Sequence, residues 1–265
     1  MFLVTGGNRV LPNTLKNVRG LGCTNILWTT DAPIDFSPIL RTAAFYDYRF
    51  CQGSEAVQIF SEKEFKSHLL PMACSPEFHY QVDLSINERQ TLSHDVVFVG
   101  SYYPNRSELF EKLVDLDLAI WGPGWNQLKK TSKLRKHLQG SHSPPALWRK
   151  IYSSAKIVLA PHYQNSKFIS EVHQASPRIF EAMACGAFVL TDKQKDVLGL
   201  FETGVHLESY SDINELKEKI CYFLSHHDER KRIANQGQQE VLANHTYENR
   251  IEYLISILED SVHRQ

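Results

Sequence analysis

The chain has 265 residues, 42% of them apolar and 22% charged. That excludes an intrinsically disordered chain and provides material for one large or two small domains. Lys and Arg number 29 against 30 Asp and Glu, a formal charge of −1, so no global field draws the chain to nucleic acid or to an anionic membrane. The longest apolar runs are about four to five residues, as in VVFV, against the ~20 of a spanning helix, so no transmembrane segment is expected. The first ten residues, MFLVTGGNRV, lack the basic start, long apolar stretch and cleavage site of a signal peptide. Cys23, Cys51, Cys74, Cys185 and Cys221 are odd in number and lie outside metal-ligand spacing. Buried free thiols in a reducing cytoplasm fit them better than a disulfide frame or a zinc site.

In chain order, FLVT at 2–5 and NILWTT at 25–30 read as strands, with a helix at LPNTLKNVRG between them. YDYRFC at 46–51 reads as a third strand, followed by a helix over 53–66. This is a βαβ pattern with a parallel sheet, but with too few strands for a complete α/β domain. Residues 73–94 have no sustained period and read as a connection between two domains. The pattern then restarts. DVVFVGS at 95–101 has the continuous apolar centre of a strand buried on both faces. In the next helix Leu109, Phe110, Leu113 and Val114 share one face, with Asn105 and Glu108 in a capping arrangement. Strand LAIWGP, a basic irregular stretch, helix ALWRKIYSSA, strand KIVLAP, helix SPRIFEAMACG and strand AFVLTD follow. The natural reading is a doubly wound, Rossmann-like sheet. The last sixty or so residues read as helical, one helix opening at Asp212 and Glu215.

The stretch QASPRIFEAMACGAFVLTD, 174–192, carries the most chemistry. Ser176 suits an N-cap, Pro177 a first helical position and Gly186 the C-terminal turn. A helix N-terminus at the carboxyl edge of a parallel sheet suits a phosphate. Arg178 adds a guanidinium for a bidentate contact, and Glu181, one turn further, a carboxylate for two ribose hydroxyls. The alternative is an ordinary capped helix whose Arg and Glu face solvent. After the strand at 95–99, Gly100 and Ser101 make a turn where a ligand can approach the backbone, and Arg106 opens the next helix. The same loop is also what strand-to-helix geometry requires. Gly122, in WGPGW, belongs either to a base pocket or to a plain turn. The glycines do not form the dinucleotide fingerprint.

In order, DVVFVGSYYPNR, AIWGPGW, IYSSAKIVLAP, SPRIFEAMACGAFVLTD and FETGVHLESYSDINELKEKICYFL resemble the CgeB-like (spore-maturation) family of group 1 glycosyltransferases. The resemblance covers residues 95–258 and extends more loosely to NILWTTDAP and AAFYDYRF. It implies a GT-B fold of two Rossmann-like domains with a cleft between them, the second binding a nucleoside-diphosphate sugar as donor, with no separate cofactor. By analogy Glu181 holds the ribose, and Arg178, Gly100, Ser101 and Arg106 surround the diphosphate. The implied organisation is a truncated N-terminal, acceptor-side domain over 1–72, a linker over 73–94 and the donor domain over 95–246. The resemblance also implies a terminal helix over 247–265 that packs toward the first domain. The chain departs from the pattern where many retaining relatives carry a second Glu eight positions before the ribose-binding one. That position here is His173, either a substitute donor contact or a loop residue.

Asp31, after a strand end, is either the acceptor base or a turn residue before Ala-Pro. Gly6 and Gly7 are either an acceptor-side loop or a simple turn. Asp115 and Asp117 form D-x-D at a helix-to-strand junction, which reads as capping and solvated charge. Lys129, Lys130, Lys133, Arg135 and Lys136 form a solvated basic face or touch an anionic acceptor. With no metal-ligand cluster in the spacing, the sequence reads as a metal-independent, cytoplasmic glycosyltransferase whose acceptor is unknown. An inactive nucleotide-sugar-binding or partner-binding module is the alternative, and a nucleotide-sugar epimerase a third.

Overall fold

In the computed structural model, which describes residues 1–30, 36–141, 144–164 and 173–262, the strand pairings of both sheets are parallel. The chain divides into two units. One is Met1–Met72 with Gln164–Ala175 and Gln194–Val197; the other is Ala73–Tyr163 with Ser176–Lys193 and Leu198–Gln265.

The first unit runs β1 (Phe2–Thr5), α1 (Pro12–Gly20), β2 (Asn25–Thr29), α2 (Ser37–Thr42), β3 (Tyr48–Cys51), α3 (Ser54–Glu62) and β4 (His68–Leu69). The four strands lie in the order β1-β2-β3-β4. Leu15, Leu27, Tyr46 and Phe60 are buried in one core cluster beside the sheet. Arg49 enters this apolar region because its guanidinium donates to the Ala43 carbonyl at 2.7 Å and lies 4.9 Å from the Phe65 ring centre. Gly6 and Gly7 form a tight turn in which a Cβ on Gly7 would stand 2.6 Å from Leu27 Cδ1.

The helix expected over 53–66 stops at Glu62. Glu64 takes a left-handed φ of 61°, the Phe65 N–H donates to Phe60 O at 2.9 Å and the Glu64 N–H to Ser61 O at 2.9 Å. This is a Schellman stop with Glu where glycine is usual, so no glycine marks it in the sequence. The chain is thereby released into β4.

In the second unit the segment read as a connection contains a helix, α4 (Ile86–Leu92), opened by a capping box between Ser85 and Glu88. Then follow β5 (Val96–Val99), α5 (Pro104–Glu111), β6 (Leu118–Trp121), β7 (Leu138–Gly140), α6 (Pro145–Ser154), β8 (Ile157–Leu159), α7 (Pro177–Ala184), β9 (Val189–Asp192), α8 (Lys195–Leu200), β10 (Glu208–Tyr210), α9 (Ile213–Ser225), α10 (His227–Asn244) and α11 (Tyr247–Val262). The sheet order is β10-β9-β8-β5-β6-β7, the doubly wound order with its reversal between β5 and β8. Phe98, Phe110, Ile120, Ile157 and Leu190 belong to its core. Short strands β7 and β10 lie in stretches whose composition signals no strand, the first directly after the basic run.

One capping expectation is corrected and another holds. Helix α5 starts at Pro104 with Tyr103 at its N-cap and no side-chain cap bond; Asn105 instead donates from Nδ2 to His162 O at 2.9 Å. Asp212 does cap α9, accepting the Asn214 and Glu215 N–H groups at 2.7 and 3.0 Å, a feature that contributes about 1 kcal/mol.

Candidate functional site

In an open α/β sheet the carboxyl ends of the strands on either side of the order reversal leave a crevice, because their connections depart to opposite faces. Here those strands are β5 and β8. A cavity of about 400 Å³ opens beside them. Gly100 and Ser101 after β5, Gly122 after β6, and Ser176, Arg178 and Glu181 at the start of α7 all line it. Gly122 is required by close approach, and Gly100 leaves room for the end of the Arg178 side chain. A Cβ on Gly122, whose φ is +133°, would stand 2.2 Å from Gly100 O, and one on Gly100 would stand 2.3 Å from Arg178 Nη2.

Arg178 passes under this turn. Its Nε donates to Val99 O, and its guanidinium lies 4.6 Å from the Phe98 ring centre. Among the described residues its Nη1 is buried and meets no hydrogen-bond acceptor. A buried guanidinium nitrogen without an acceptor is costly and gains from an incoming anion. The N-terminal dipole end of α7 acts in the same direction.

Glu181 is half-buried on the next turn. Burial raises its pKa to about 7, against the opposing pull of Arg178. Trp148 and Tyr152, one turn apart on α6, form an aromatic wall of the same cavity.

Arg106 is placed differently from Arg178. It is 5% exposed, donating from Nε to Pro161 O at 3.1 Å and from Nη1 to Ser101 O at 3.0 Å. Burial, with Arg178 nearby, lowers its pKa to about 9. It braces the loops after β5 and β8 from behind. Ser176 occupies the N-cap position of α7 without a side-chain cap bond, a correction to the expected hydroxyl cap. Its N–H donates to His162 Nε2 at 3.0 Å. Asp31 lies outside the described residues. His173 belongs to the first unit and sits 3.0 Å from Ser54 Oγ through Nδ1.

Asp115 and Asp117 are exposed. Asp117 accepts the Asp95 N–H at 3.0 Å, which places it at the amino ends of β5 and β6, opposite the cavity. Among the described residues no group of three or more His, Cys, Asp or Glu is placed to hold a metal ion. No helix there is long and apolar enough to cross a membrane. The five cysteines are free, and Cys51, Cys74 and Cys185 are buried.

The sequence reading did not single out Trp148, Tyr152 or His162. The first two carry a faint signal, two aromatics at i and i+4 on one helix. His162 has only its place just beyond a strand end.

A family model described as "Glycosyl transferase-like" matches residues 106–256, more than half of the chain. Spore protein CgeB of Bacillus subtilis (strain 168) is 23% identical over 259 residues, covering 93% of this chain and 78% of that protein. A crystal structure of Anabaena HepE in complex with UDP and glucose is similar with a TM-score of 0.72 at 12% identity, covering 97% of this chain and 78% of that one. Sucrose-phosphate synthase from Thermosynechococcus elongatus is similar with a TM-score of 0.66 at 14% identity, covering 91% of this chain and 68% of that one. The fold shared with these structures is the GT-B fold.

Proposed function

The chain belongs to the glycosyl transferase-like family, and on that premise we propose that it moves a sugar from a UDP-sugar to the hydroxyl of an acceptor. The observation that carries the reading is the buried, unpaired Nη1 of Arg178 in the wall of the switch-point cavity. The likeness to a structure that holds UDP and glucose supports the choice of base.

In this reading Arg178 and the amino end of α7 bind the diphosphate, and they stabilise it further as charge develops on the leaving group. Glu181 accepts the two ribose hydroxyls, since a carboxylate has acceptor sites for both. Gly100 and Gly122 let the phosphates approach the backbone. The phosphate charge is thus met by protein groups, and turnover is expected to survive excess chelator.

The test is thermal unfolding of the full chain with UDP. At a hundredfold excess over the dissociation constant, linkage gives about 2.7 kcal/mol of stabilisation. Arg178→Ala is expected to remove most of it. Absence of stabilisation by UDP and by every other common nucleoside diphosphate overturns the donor site. Loss of UDP-glucose turnover in chelator, with rescue by manganese, overturns metal independence. UDP binding without any turnover of UDP-glucose or another UDP-sugar leaves a binding module in place of an enzyme.

A further inference from the structure

We infer that His162 is a positioning residue of the donor site, holding Ser176 and so the first turn of α7, and that Asp192 in turn holds its imidazole. The inference rests on the reading of the cavity as a nucleoside-diphosphate site.

His162 follows the end of β8, and its side chain is 1% exposed. Nε2 lies 3.0 Å from the Ser176 nitrogen. A backbone N–H only donates, so Nε2 accepts, and the ring proton resides on Nδ1. Nδ1 lies 2.8 Å from Asp192 Oδ1 at the end of β9, where the carboxylate accepts it. The same carboxylate oxygen accepts the backbone N–H of His162 at 2.9 Å, while Asn105 Nδ2 at the start of α5 donates to the His162 carbonyl at 2.9 Å. One residue therefore ties the carboxyl ends of two strands to the starts of two helices. A carboxylate on one ring nitrogen fixes tautomer and ring orientation together.

The first turn of α7 is also tied at Arg178, whose Nε donates to Val99 O, but the residues just before it carry fewer side-chain bonds. Ser176 makes no side-chain cap bond, and Pro177 has no N–H. The bond from Ser176 N–H to His162 helps to place the chain just before Arg178, whose Nη1 is offered to the phosphates. His162 and Asp192 are not among the cavity-lining residues, whereas Ser176 and Arg178 are. The imidazole acts through Ser176 rather than on a ligand.

Two substitutions separate this role from simple space filling. His162→Leu occupies the space without accepting a hydrogen bond, and His162→Gln retains a carbonyl acceptor. The full chain is measured by amide exchange at Ser176 and by affinity for UDP and for uridine. In His162→Leu the Ser176 amide is expected to exchange faster. UDP affinity is expected to fall about tenfold and uridine affinity to change by less than about twofold, because the displaced turn faces the phosphates. His162→Gln is expected to recover most of the UDP affinity. Unchanged Ser176 exchange in the Leu variant overturns the relay, as does UDP binding equal to that of the parent. Equal losses for UDP and uridine, together with a fallen melting temperature, mark a general structural role and overturn the positioning role. A parent chain that binds no nucleoside diphosphate overturns the functional reading itself, a failure distinct from an unchanged exchange rate.

Discussion

Glu181→Gln is expected to weaken UDP binding ten- to a hundredfold and, at pH 8, to make the same protein more stable. The affinity loss follows from replacing a carboxylate that accepts both ribose hydroxyls by an amide that presents one acceptor and one donor. Hydrogen bonds to a charged group contribute about 1.5–3 kcal/mol. The stability gain follows from the cost of burying the carboxylate. Its pKa is raised from 4.5 to about 7, so the group supports the fold fully below its unfolded value and loses that contribution as pH rises through 7. Between those limits the loss amounts to about 3 kcal/mol. The amide does not ionise and is spared it. UDP affinity of the parent is therefore expected to rise more between pH 6 and 8, as the carboxylate charges, than that of Glu181→Gln, in which the ligand phosphate still titrates, with a second pKa of about 6. Calorimetric titration at both pH values, with thermal unfolding alongside, reads both effects. Glu108→Gln, exposed on α5, serves as the control. A Glu181→Gln protein with parental UDP affinity at pH 8 removes the ribose assignment; one with unchanged stability removes the buried-carboxylate argument.

Gly122→Ala is expected to destabilise the second unit by roughly 3 kcal/mol and to abolish UDP binding. The new methyl would stand 2.2 Å from Gly100 O and 2.6 Å from Gly100 C. Both atoms are backbone at the end of a buried strand, so no side-chain rotation relieves the clash. Overpacking of this kind costs about 1–3 kcal/mol, and a left-handed φ on an alanine about 1 more. Relief requires the loops after β5 and β6 to separate, which opens the floor of the cavity and removes the turn under which Arg178 passes. Gly204→Ala isolates the backbone contribution, since Gly204 has φ +81° but its nearest atom, Glu208 Oε1, lies 3.5 Å away. A loss of about 1 kcal/mol is expected there, with UDP binding intact. Equal effects at the two positions would mean that the close approach of the two loops does not matter.

Much of the second sheet was legible because its signals are local. VVFV reads as a strand buried on both faces, and β5 is that strand. Pro177 near the start of α7 and Gly186 past its end mark the helix, and the apolar run after it is β9. Glu181, Arg178 and Gly100 were found as site candidates from such patterns with the family resemblance beside them. Ser85 and Glu88 form a capping box that the sequence displays, although the polar residues around it read as a connection. The stop at Glu64 was not legible, because a non-glycine residue in left-handed conformation leaves no compositional trace. Strand β7 was missed because its partner, not its own three residues, makes it a strand.

The sequence by itself determined the two runs of parallel strands, the absence of a global charge, and which loops and helix starts hold glycine, arginine and glutamate. Only the tertiary structure decided what those groups do to one another. The Arg178 bond to Val99 spans 79 positions, that of His162 to Asp192 30, and that of Ser176 to His162 14. A local pattern reports preferences over about one helical turn, so it marks Arg106 and Arg178 alike as basic residues near helix starts. Sheet closure separates them. One guanidinium finds two carbonyls and becomes a brace; the other spends its Nε on Val99 O and is left with an unpaired nitrogen in the cavity wall.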